Sequence, residues 1–419
     1  MDIKHNNSEK GQAIVFLVLG FVVFLGFVAL AIDGGMVLSD RRHEQNAADA
    51  SSLAGGAVAA LHISDNRSNS CNQQWTCDNN SIIQAAEAQA IQEAKNRADA
   101  NSYTIDNNIG DHNGVDFSCG GDSWNFATIT VTVEISATTP SNFLQLVFPT
   151  AMHNTVDAST RIDPGGPLQF GNAIVALNPA NCTGQLGVSF HGTGDINIIG
   201  GGIFSNGCVR ADGTAHVNGD PNWPISGSDV DYDPGKDDIS PPPTEVTYQY
   251  PAYTYDIDPP DCPSDPGAWY TDKTLPNNLS AGLYCINGDL TFKKGPFIGD
   301  GVTFFLQDGG VTINGNEEVR LYAPPHDPDP SPAIPGILFF LPPTNHSTVK
   351  LNGTSQVTIT GVIFAPGSKI VVTGTDNVTS FESTQFIGWD VEVGGTSDTN
   401  IVYDGCDGYI FPPYIELYK

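Results

Sequence analysis

The chain has 419 residues, with 47 carboxylates against 17 Lys and Arg, a formal net charge of −30 and only 15% charged side chains. Phosphate contacts need Lys and Arg, so nucleic acid is a poor partner, and the acidity reads as solubility. Eight cysteines occur, none in a CxxC pair or at zinc-finger spacing from a histidine, which in an exported chain reads as disulfides rather than a cytosolic metal site.

The first element is a membrane-length helix. Residues 13–32 read AIVFLVLGFVVFLGFVALAI, without a charge or a side-chain hydrogen-bond donor. At about 1.5 Å per residue such a run spans roughly 30 Å, the thickness of a bilayer's hydrocarbon. A cleaved signal peptide has an apolar region of about 7–15 residues before a small-x-small site. This run is longer and leads into IDGGMVLSDRR, so the expectation is a retained anchor: residues 1–12 as a cytoplasmic head and 13–32 as the transmembrane helix. Lys4 and Lys10 precede the span and Arg41 and Arg42 follow it, so basic residues do not set the orientation. The short head and the cysteines place the large part outside. In a filament the small residues Gly20, Gly26, Ala31 and Gly35 permit close helix packing. Asp33, at the membrane exit, is placed to meet a partner subunit or water.

The Ala-rich run beyond Asp33-Gly34-Gly35 predicts that the same helix continues to about residue 62. A second helix starts at Ser81, an N-cap residue. Ala127, Ile129, Val131, Val133 and Ile135 alternate with polar residues, the period of a half-buried strand. SNFLQLVF is a short apolar helix or turn, and MHNTVDASTRI a second strand. Residues 33–163 thus form a small α+β domain, closed by the linker signal Asp163-Pro164-Gly165-Gly166-Pro167.

After residue 163 the helical patterns end and a repeat begins. LNGT (Leu351 to Thr354), VTGT (Val372 to Thr375) and VGGT (Val393 to Thr396) start at steps of 21 residues. Short apolar strands interleave with them: GGIF at Gly201, GVTFFL at Gly301, GILFFL at Gly336 and GVIFAP at Gly361. A fixed coil length with a glycine turn per coil predicts a parallel, right-handed β-helix, with positive φ at corner glycines such as Gly374. A β-sandwich is the alternative, but its strands recur every 8–12 residues or so. Residues 164–419 are therefore read as a glycine-rich, disulfide-bonded β-helix surface domain, with loops at 220–281 and 324–335.

Spacing pairs Cys182 with Cys208 and Cys262 with Cys285, makes Cys71–Cys77 local, and leaves Cys119 with Cys406. Asp229, Asp231 and Asp233 form a DxDxD run that could hold a structural Ca²⁺, but Pro234 and Ser240 stand where an EF-hand loop has Gly and Glu. No other cofactor is implied. Glu317, Glu318, Arg320, Lys350, Lys369, Asp390 and Glu392 are the coil residues available to a β-helix lyase; their spacing joins no base to a nucleophile, and no GxSxG occurs. Trp223, Trp269 and Trp389 could stack on sugars or pin loops.

Gly11-Gln12-Ala13, the apolar span, Ile32-Asp33-Gly34-Gly35, the stretch Gln45 to Ala50, Leu53-Ala54-Gly55 and a Phe143-Leu144 element before a terminal strand occur in that order. Over about residues 11–162 the chain resembles TadG-like proteins of the TadE/TadG group, associated with Tad (Flp) pilus assembly. The resemblance implies a bacterial, envelope-bound, pilin-like protein whose partners are the membrane, other Tad subunits or copies of itself. Ordinary prepilins carry Glu five places after the cleavage glycine; counted from Gly11 that place is Phe16, which speaks against prepilin-peptidase processing. The expected function is a non-enzymatic structural surface protein of the pilus-assembly type, anchored or filament-forming and displaying an extracellular β-helix. The alternatives are an adhesin for surface glycans and a β-helix polysaccharide lyase.

Overall fold

The computed structural model describes residues 12–66, 77, 81–110, 112–121, 127–143, 152–163, 166–168, 171–184, 187–247, 249, 257–293, 295–314, 317–326, 330–353, 357–374, 378–411 and 414–418. The chain divides into two compact units. Residues 1–67, 75–164 and 413–419 form the first, and residues 68–74 and 165–412 the second.

In the first unit, helix α1 runs unbroken over Gln12–Asp65, through Asp33-Gly34-Gly35. Its C-terminal half is lined with small buried residues, among them Ala47, Ala48, Ser51, Ser52, Ala59 and Ala60. A Cβ on Gly55 would lie 2.8 Å from the Ala90 carbonyl oxygen, and one on Gly56 would lie 2.6 Å from Thr160 Cγ2. The adjacent glycines therefore let α1 touch helix α2 (Ser81–Ala100) on one side and the sheet on the other. Helix α2 answers with Ile83, Ala86, Ala90, Ala94 and Ala98, a buried stripe at helical spacing.

The sheet is antiparallel, with β1 (Gly114–Gly121) on β2 (Ala127–Thr139) and β2 on β3 (Met152–Asp163). Ile129, Val131, Val133 and Ile135 of β2 are fully buried, facing the helices as their alternation predicts. Two strands were not expected from the sequence. One is β1. The other is Tyr414–Leu417, which returns from the end of the chain to pair with β3, Tyr414 opposite Asp163 and Ile415 opposite Ile162. Residues 144–151, which contain most of the predicted short apolar element, lie outside the described residues.

Two expected cysteine pairs are corrected. Cys77 is bonded to Cys119, so neither Cys71–Cys77 nor Cys119–Cys406 forms. Helix α2 lies against β1, and this tertiary contact brings Cys77 and Cys119, 42 positions apart, to a Cα separation of 5.6 Å. Cys71 lies outside the described residues, and Cys406 is disulfide-bonded.

The second unit is built on a 20-stranded sheet whose pairings are parallel. Strands pair with the third strand onward: Gly282–Ile286 with Val302–Leu306, Leu290–Phe292 with Val311–Ile313, and Phe297–Asp300 with Val319–Tyr322. The 21-residue repeat becomes register here. Leu351 lies opposite Val372 and Val372 opposite Val393, while Gly353, Gly374 and Gly395 form the column beside them. That column continues through Gly192 and Gly213, so residues near 192 stack on residues near 395. The chain thus enters in the middle of the stack at Asn172–Ala176 and runs to one end at Thr244–Glu245. It restarts at the other end at Asn278–Leu279 and climbs back to Thr399–Val402.

The expected loop insertion 220–281 is accordingly reduced. Ile225–Asp231, Asp238–Ser240, Thr244–Glu245 and Asn278–Leu279 are strands of the stack, and the described residues 257–277 form a strap that leads into Asn278–Leu279. Its purpose is visible in the packing. Neighbouring residues on the GVTFFL-type strands point to opposite faces. Tyr284, Phe304, Phe339, Ile363, Phe386, Ile174 and Ile203 follow one another in register and fill the interior. Cys285, Phe305, Phe340, Phe364, Ile387, Val175 and Phe204, each one residue later, make a second apolar ladder on the outer face. Ile257, Cys262 and Trp269 of the strap pack against that ladder, as do Ile334, Tyr409 and Phe411. This is why Val302–Leu306 and Ile337–Phe340 are buried at every position, as strands covered on both faces are.

Candidate functional site

From Ile14 to Ile32 the first unit presents nothing but exposed apolar surface: Phe16 is 72% exposed and Phe27 68%. Mean hydropathy over this part of α1 reaches 3.0, long and apolar enough to cross a membrane. Gly20, Gly26 and Gly35 have no atom within 4 Å of where a Cβ would stand, and Ala31 is exposed. These small residues are therefore open to whatever surrounds the helix.

Asp33, expected to meet a partner subunit or water, is 1% exposed. Its Oδ1 accepts from the backbone N–H of Asn142 at 3.0 Å, and its Oδ2 accepts from that of Phe143, also at 3.0 Å. The carboxylate pins the Ser141–Phe143 segment to α1 just beyond the apolar span. Sequence reasoning missed Glu44, also 1% exposed on the same helix, where burial pushes the carboxyl above its ordinary range against a hydrogen bond from Asn154. A charge in an Ala-rich run does not by itself reveal which face it occupies.

In the second unit, Cys182 is bonded to Cys208 and Cys262 to Cys285. The latter bond ties the strap to the start of the outer ladder. The DxDxD carboxylates do not converge. Asp229 accepts from the backbone of Cys182 at 2.8 Å, Asp231 ends a strand, and Asp233 accepts from Gly235 and pairs with Lys236 at 3.0 Å. Among the described residues no group of three His, Cys, Asp or Glu is placed to hold a metal.

The coil charges are brought together only in part. Lys369 pairs with Glu392, whose other oxygen lies 3.5 Å from His191 Nε2. Glu318 pairs with Arg320 at 2.9 Å, and Glu317 accepts from the Gly295 backbone at 3.0 Å. Asp390 sits beside the Lys369–Glu392 pair, its Oδ1 accepting from the Gly187 backbone at 2.7 Å and from Asn178 Nδ2 at 3.0 Å. Of the tryptophans, Trp223 covers Gly171, Trp269 donates to Pro263 O at 2.8 Å and meets the edge of Phe305, and Trp389 is 36% exposed.

Asp390 gives a pH test. Burial raises its carboxyl above the ordinary carboxylate range, opposed by the two hydrogen bonds and Lys369. A raised folded-state value means that ionisation costs the fold stability as pH rises through that value. Asp390→Asn keeps the Oδ1 acceptor and removes the charge. Its melting temperature should equal or exceed that of the parent at pH 7, the difference shrinking as pH falls towards 4. A variant less stable at pH 7 than at pH 4, relative to the parent, would contradict this.

Residues 11–59 match the family model described as putative Flp pilus-assembly TadE/G-like. That stretch begins at the apolar span and ends in the half of α1 that packs on α2 and the sheet. No curated protein and no solved structure matches the chain.

Proposed function

We propose that this chain, carrying a Tad pilus-assembly segment on its first helix, is a non-enzymatic structural protein of the bacterial envelope. In this reading α1 anchors it in the membrane or packs in a filament, and the second unit is displayed outside the cytoplasm. One observation carries the reading: the TadE/G-like segment coincides with a helix that from Ile14 to Ile32 is apolar and, among the described residues, almost wholly exposed. Burying that surface in lipid removes its contact with water without any protein partner. The cysteine bonds fit an oxidising compartment.

The second unit is read as a parallel β-helix. Support comes from the third-strand pairing, the 21-residue register and an interior filled by one ladder of Phe and Ile. Coils of this kind stabilise by stacking, so a rigid rod can be displayed without a binding partner.

The test is removal of residues 1–32, with export through a cleavable signal. The truncated chain keeps Asp33 and should be secreted as a folded, soluble protein with no association to cells or filaments. If it still sediments with cells or filaments, α1 is not the attachment and the reading fails.

A further inference from the structure

The outer face formed by Leu290–Phe292, Val311–Ile313, Thr348–Gly353 and Val357–Gly374 is uncovered, unlike the Phe ladder beneath the strap. Thr291, Thr312 and Lys350 follow one another in register across three of these strands, at about 4.8 Å per strand. Lys369 stands in register with Thr348 on the fourth strand, and Lys293 follows the first strand. All three lysines are exposed, and the Thr hydroxyls between them are half-buried. Lys273 joins Lys293 at one end, in a shallow hollow with Thr271, Thr291, Asp272 and Asp289.

The charge of this face is against the trend of the molecule. Residues 165–412 hold eight Lys and Arg, and Lys273, Lys293, Lys350 and Lys369 are four of them, on a chain of net charge −30. Lys369 is engaged with Glu392, and Asp289 is turned to the backbone of Gly310 at 2.8 Å. Among the described residues, no ion pair within 4.0 Å engages Lys273, Lys293 or Lys350.

We infer that this face is a binding surface for an acidic polysaccharide, with Lys293 and Lys350 taking carboxylates and the Thr and Asn side chains between them taking sugar hydroxyls. The chemistry favours a glycan over nucleic acid. Duplex DNA carries a charge about every 1.7 Å and needs a dense array of cations. Here the cations are sparse and separated by neutral hydrogen-bonding groups, and the rest of the molecule repels a dense polyanion. Single strands bind through stacked aromatic rings, and this face presents Thr, Asn and Lys instead. A sugar chain with a carboxylate on each or every second residue matches that spacing of charge and hydroxyl. The inference goes beyond anchoring and display and does not depend on either.

The test uses the full chain in detergent micelles, titrated with oligogalacturonate, a neutral glucan oligomer and oligothymidylate. The parent should bind oligogalacturonate, weakening as salt rises, and bind the other two less tightly. Lys293→Gln with Lys350→Gln should weaken that binding by about tenfold or more, with melting temperature unchanged, and Lys236→Gln, which removes a lysine paired with Asp233 elsewhere, should leave it unaltered. The inference is overturned if the parent does not bind oligogalacturonate, if the glucan or oligothymidylate binds as well or better, or if the double variant binds like the parent. Secretion of the chain lacking residues 1–32 is read separately, so failure here leaves the anchoring result standing.

Discussion

Phe339→Ala and Phe340→Ala should each destabilise the second unit by about 3–5 kcal/mol, the usual cost of emptying a fully buried Phe site. The two residues are neighbours on one strand and point to opposite faces. On a sheet with one wet face, one of them would be exposed and its loss would cost little. Here both are completely buried. Phe339 stacks on Phe304 at 5.2 Å between ring centres inside the unit. Phe340 lies 5.1 Å from Phe364 and 5.7 Å from Phe305 on the outer ladder. Denaturant titration of the two variants measures the comparison directly. A cost below about 1 kcal/mol for Phe340→Ala would mean that the outer ladder is open to water and the strap does not cover it.

Gly374→Val should cost about 3 kcal/mol or more, and Gly235→Val less than about 1 kcal/mol. The repeat predicts positive φ at Gly374, but a different constraint acts there. Gly374 does not lie in the left-handed region, whereas Gly192 and Gly213 in the same column do, at φ +109° and +90°. What excludes a side chain at Gly374 is the neighbouring chain segment: a Cβ would stand 2.1 Å from Thr399 Oγ1 and 3.1 Å from the Ser397 carbonyl oxygen. A Cβ on Gly235 would meet only Asp233 Oδ1 at 3.3 Å, in an exposed turn. Equal melting temperatures for the two variants would show that the coils can separate at this corner without loss.

The two glycine arguments show where the sequence carries information and where it stops. A repeat of 21 residues predicts that Gly353, Gly374 and Gly395 share a position, and they do. It does not predict which atom approaches them, because that atom comes from a neighbouring coil whose offset the repeat leaves undefined. The same limit applies to Asp33. Its position at the end of an apolar span was legible, but its bonds to Asn142 and Phe143 join residues more than 100 positions apart. The cysteine reading divides on this line too. Cys182–Cys208 and Cys262–Cys285 join residues 26 and 23 positions apart, where spacing is informative. Cys77–Cys119 depends on α2 packing against β1, which spacing does not encode.

What local physics dictates is legible in the residues alone. Twenty apolar residues make a membrane-length helix whatever follows them, alternation in 127–135 makes a half-buried strand, and a constant coil length makes stacked parallel strands. The order of the stack and what covers it come from long-range packing. Residues 172–245 stack on the end of 278–402, and the final strand Tyr414–Leu417 returns to β3 beside the point where the chain left it. The physical reason is that backbone hydrogen bonds between parallel coils are the same for any pair of coils. The choice among partners is made by side-chain ladders running across the stack, such as the Phe row beneath the strap and the glycine column at the corner. These exist only once chain segments far apart in sequence have been brought side by side.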